Sequence, residues 1–164
     1  MNLLEYKKHE LEQMSNYKND ISYKYLKWFL NKAEYITDTN LTMSRKLGLK
    51  AVVKDCYGNS FRNRKGLRYY EGYIWSKLCP IPLEHAYLVD NENKIVDPTL
   101  GIPEHIKVKQ FKKLYNYKYK KTDSLKNNQY IGIHVPDNIL MPLVLKRKTY
   151  ENNLIELFLK NNIS

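Results

Sequence analysis

Three side chains in this sequence have the types and order needed for nucleophilic chemistry: Cys56, His85 and Asp97. A thiol attacks a carbonyl only after giving up its proton, and an imidazole can take that proton and later return it to a leaving group. A carboxylate fixes the tautomer of that imidazole. Cys56 follows Asp55 and precedes Tyr57-Gly58-Asn59-Ser60-Phe61, which predicts a helix with Asp55 as N-cap, Cys56 in the first turn and Gly66 as a stop. Free N–H groups and the positive helix end there favour a thiolate, opposed by the charge of Asp55. Asn59 lies one turn after Cys56, where its amide is expected to face the same substrate.

His85 sits in the apolar run 83–90, and Asp97 ends the run 94–97 after the polar turn Asn91-Glu92-Asn93. This reads as a β-hairpin. A turn centred on Asn91 opposes residues whose numbers sum to 182, and 85 plus 97 is 182, so His85 and Asp97 become cross-strand neighbours. A slip of one residue would move one of them to the other face.

The elements that must position these residues follow from the apolar pattern. Residues 2–17 and 21–36 read as a helical hairpin closed by Thr37-Asp38-Thr39-Asn40. Strands are expected at 67–76, 84–90, 94–97 and 130–135, and a closing helix at 150–161 with Ile163 adding to its apolar side. The class is α+β in one domain of 164 residues: a helical extension over 1–45, a core over 46–136 and a helical segment over 137–164.

Composition limits the function classes. The sequence has no apolar run long enough to span a membrane and no signal-peptide pattern at its start, so a cytoplasmic protein without membrane contact is expected. The two cysteines, Cys56 and Cys79, read as free thiols. With His85 they fit no familiar zinc frame, and neither a metal nor a cofactor is expected. Lysine and arginine number 28 against 17 acids, a net charge of +11. The charge is densest over 107–126, where Lys107, Lys109, Lys112, Lys113, Lys118, Lys120, Lys121 and Lys126 interleave with Phe111, Tyr115, Tyr117 and Tyr119. Two functions suit that run: weak, non-specific nucleic-acid or acidic-protein binding, and a solvated surface loop.

His85-Ala86-Tyr87, followed by Asp97-Pro98-Thr99 and preceded by Cys56, resembles the His-Ala-aromatic and Asp-Pro-Thr blocks of transglutaminase-like proteins within the papain-like cysteine protease superfamily. Cys56 with Asn59, Glu71-Gly72-Tyr73, and Tyr130 with Gly132 also resemble blocks of small phage and bacterial proteins. The resemblance covers about residues 50–136, and no tryptophan flanks Cys56 as often happens in such sites. It implies a nucleophile helix packed on an antiparallel sheet, in the host cytoplasm if the gene is a phage's. It also implies a thiol hydrolase or acyltransferase acting on an amide of a protein or peptide, as a protease, deamidase or transglutaminase does. Cys56, His85 and Asp97 would form its triad, with Asn59, Glu71 and Tyr87 near the substrate. The alternative is a non-catalytic basic binding protein on the same scaffold.

Overall fold

The computed structural model describes residues 1–76, 79–120 and 125–162, so Lys121 of the basic run and Ile163 of the closing segment lie outside the described residues. Five strands, β1 (Glu34–Ile36), β2 (Arg68–Trp75), β3 (Leu83–Val89), β4 (Ile95–Val96) and β5 (Gln129–His134), form one sheet in the order β1-β5-β2-β3-β4. Every neighbouring pair is antiparallel. The helices are α1 (Leu3–Gln13), α2 (Ile21–Lys32), α3 (Leu41–Gly48), α4 (Cys56–Arg62), α5 (Glu104–Tyr115), α6 (Asp137–Arg147) and α7 (Leu154–Asn162), with a 3-10 turn at Ser15–Tyr17. None of the described helices is long and apolar enough to cross a membrane.

Strand alternation divides the core in two. On one face Tyr69, Ala86, Leu88, Val96 and Ile131 pack against Leu3 of α1, Leu26 and Phe29 of α2, Leu140 of α6 and Leu154. On the other, Tyr70, Ile74, Tyr87, Val89, Ile95 and Tyr130 form a second cluster with Ile36. A third, smaller cluster joins Phe111 and Ile106 of α5 to Ala51, Val53 and Ile102.

Three expectations need correction. The second helix ends at Lys32, and Glu34–Ile36, expected as its last turn, is instead an edge strand paired with β5. Ala33 is already extended, and the β-favouring Tyr35 and Ile36 find an open partner strand there. Residues 1–45 are therefore not a helical extension alone, since they supply a strand of the sheet. The basic run does not begin as a loop: Lys107 to Tyr115 belong to α5, which Gln110 clamps to the chain before α4 by accepting from Val53 N and donating to Ala51 O, both at 2.9 Å. The segment 137–164 gains a helix: the expected closing helix stands as α7, and α6, with an internal Pro142, precedes it.

Candidate active site

The nucleophile candidate is placed by a capped, short helix. Asp55 accepts from Gly58 N at 3.2 Å, so Cys56 is the first residue of α4. Asp55 also pairs with Arg62 at 2.6 Å, which offsets its negative charge beside the sulfur. The helix runs along β3, where Ser60 Oγ donates to Ala86 O at 3.0 Å. This contact brings Cys56 to the strand that carries His85.

The hairpin register differs from expectation. Leu88 opposes Val96 and Val89 opposes Ile95, so opposed numbers sum to 184 rather than 182. The turn closes between Asp90 and Lys94 through Asp90 N donating to Lys94 O at 3.0 Å. Asn93 takes the left-handed conformation there, at φ 62°. The two-unit change preserves parity, so His85 and Asp97 stay on one face but meet diagonally. The structure brings them together: His85 Nε2 lies 2.7 Å from Asp97 Oδ2, both side chains buried.

Asp97 is fully enclosed by donors. Oδ1 accepts from Thr99 N and Leu100 N, each at 3.0 Å, and Oδ2 also accepts from Tyr130 Oη at 3.0 Å. Its own N–H donates to Ser44 Oγ of α3 at 3.0 Å. Burial by itself would raise this carboxyl. The adjacent His85, together with the donors from Leu100 and Tyr130, outweighs burial and holds it below the usual carboxylate range. His85 shows the converse balance: burial pulls the imidazole down, but the Asp97 carboxylate and the Cys56 sulfur hold it well above its ordinary value. His85 and Cys56 line the same cavity. Because Nε2 is engaged by Asp97, Nδ1 is the nitrogen left for the sulfur.

The pair opens into a cavity of about 550 Å³, lined by Cys56, Cys79, Glu84, His85, Leu100 and Phe111 among others. The lining thus joins α4, β3, the loop after Asp97 and α5. Among the described residues no group of three or more His, Cys, Asp or Glu is placed to hold a metal.

No protein-family model, no curated protein and no solved structure matches this chain.

None of the three expected substrate contacts lines the cavity. Asn59 is fully buried and its amide is occupied: it bonds Val52 N and O at 2.9 and 2.7 Å and donates to Thr99 Oγ1 at 2.9 Å. It ties α4 to the Asp97 loop instead of facing a ligand. Glu71 opposes Ala86 and so points to the sheet face away from His85. There it accepts from Asn153 N and Nδ2, both at 2.6 Å, and from Tyr69 Oη at 2.9 Å. Burial pushes its carboxyl up, against the pull of those donors. Tyr87 is on the site face but wholly buried, its ring against Tyr130 at 4.9 Å between centroids. A Cβ on Gly132 would sit 2.5 Å from the Tyr87 hydroxyl and 2.8 Å from Glu71 O, so this strand position requires glycine for close approach.

Sequence reasoning assigned no role to Tyr130, Ser44 or Gln110. Tyr130 stood in the Tyr-x-Gly block, which was the available signal. Ser44 and Gln110 had none, because their partners are distant in the chain.

Proposed function

We propose that this protein is a cysteine-dependent hydrolase or acyltransferase acting on amide bonds, with Cys56 as nucleophile, His85 as general base and acid, and Asp97 as the residue that orients His85. The observation that carries this reading is the buried His85 ring, held by Asp97 on Nε2 and lining one cavity together with Cys56. The likeness to transglutaminase-like proteins adds support through residue order and through a cysteine-bearing helix packed on the histidine strand.

The steps follow from these positions. The Cys56 proton passes to His85 Nδ1, and the sulfur attacks the amide carbonyl carbon. The oxyanion is met by first-turn backbone N–H groups of α4, which have no partner within the helix. The C–N bond then breaks, and the leaving amine takes the proton from His85. Water or a second amine, deprotonated by the same imidazole, resolves the thioester and restores the thiol. Asp97 remains ionised throughout, since four donors surround it.

Iodoacetamide labelling with mass-spectrometric mapping tests the reading. Cys56 is expected to react about tenfold faster than Cys79, and His85→Ala to remove that advantage. Equal rates in the folded wild type would overturn it. Incubation with a protein substrate and a fluorescent primary amine then separates cleavage, ammonia release and amine incorporation, each of which Cys56→Ala should abolish.

A further inference from the structure

The cavity wall beside Cys56 carries an unbalanced charge. Three exposed lysines line it, Lys54, Lys118 and Lys120, against the single carboxylate of Glu84 among the described lining residues. They come from two places, the turn just before α4 and the segment just after α5. The exposed lysines of α5, Lys109, Lys112 and Lys113, do not line the cavity. The basic run is therefore divided: its buried Lys107 and its exposed Lys118 and Lys120 line the cavity with Cys56, whereas Lys126 lines a separate surface pocket.

Lys54 is held rather than free. Its Nζ lies 4.4 Å from the ring centroid of Tyr115, 5.3 Å from Tyr117 and 5.6 Å from Phe111. Its backbone is left-handed at φ 61°, a conformation that glycine adopts without cost and lysine does not. The strained position thus fixes a cation two residues before Cys56.

We propose that the cavity takes its acyl group from acidic peptide segments, with carboxylate side chains flanking the attacked amide and held by Lys54, Lys118 and Lys120. This rests on the reading of Cys56 as nucleophile. The site chemistry favours a peptide over a nucleic acid, because a nucleic-acid backbone offers anions but no carbonyl carbon to a thiolate. Lysines suit carboxylates here as point charges, and the basic balance of the whole chain steers acidic segments toward them.

The test uses three vinyl sulfone peptides, identical except for flanking glutamate, glutamine or lysine. The Cys56 sulfur adds to the vinyl carbon, and the adjacent carbon takes the proton from His85, with no leaving group. Modification of Cys56 should follow the order glutamate, glutamine, lysine, with about a tenfold span at low salt that narrows as salt rises. The triple variant Lys54→Gln, Lys118→Gln, Lys120→Gln should remove the span, while Lys118→Arg with Lys120→Arg should keep it. Equal rates for all three peptides, or a span that persists in the triple glutamine variant, would overturn the proposal. So would a single-stranded oligonucleotide that protects Cys56 at physiological salt better than a free glutamate-flanked peptide. Iodoacetamide separates the two levels: a Cys56 advantage over Cys79 with no peptide span sinks only the acidic-substrate inference, whereas loss of that advantage sinks the nucleophile reading itself.

Discussion

Replacing Tyr130 by phenylalanine isolates one hydrogen bond of the Asp97 cluster. The ring volume is kept, including its packing on Tyr87 at 4.9 Å, and only the hydroxyl that donates to Asp97 Oδ2 at 3.0 Å is removed. A hydrogen bond to a charged group contributes about 1.5–3 kcal/mol. The fully buried setting places the loss in the upper part of that range. For a chain of this size the loss corresponds to a Tm lower by about 4–12 °C at neutral pH. The pH dependence gives a second check. The folded-state pKa of Asp97 is depressed, so its stabilising contribution is present above the unfolded-state pKa and disappears as pH falls through the folded value. The gap between wild type and Tyr130→Phe should therefore be widest near neutrality and narrow in acid, below the usual carboxylate range. Thermal melts followed by circular dichroism across that interval measure it. An unchanged Tm at neutral pH, or a gap independent of pH, would refute the account of Asp97 as a carboxylate held ionised by its donors.

Glu71→Gln is expected to destabilise by about 1–3 kcal/mol in urea titrations, because an amide NH₂ would face one of the Asn153 or Tyr69 donors. Its iodoacetamide rate at Cys56 should match wild type, since Glu71 lies on the opposite sheet face. Tyr87→Phe removes a buried hydroxyl that has no hydrogen-bond partner among the described residues, and should leave stability unchanged or raise it by about 1 kcal/mol in the same titrations. Gly132→Ala should cost at least about 2 kcal/mol, as its Cβ meets both the Tyr87 hydroxyl and the backbone of β2; a neutral result would contradict the close approach of β2 and β5.

The sequence by itself determined the elements nearest the site. Asp55 caps the helix that begins at Cys56 because an aspartate accepts from the third amide beyond it, a local interaction. The hairpin carrying His85 and Asp97 was legible from alternating apolar residues around a polar turn, and its parity survived a wrong register because side chains alternate with a period of two. Tertiary structure decided the rest. Glu34–Ile36 is a strand only because β5 offers it an open edge, and Glu71 faces away from His85 only through the register of β2 on β3. Asn59 is turned from a substrate to Thr99 by a contact across 40 positions of chain. The lysines of the basic run carry no local signal for which of them reach the cavity. That depends on α5 docking through Gln110 on Ala51 and Val53, a long-range contact that no periodicity within the run encodes.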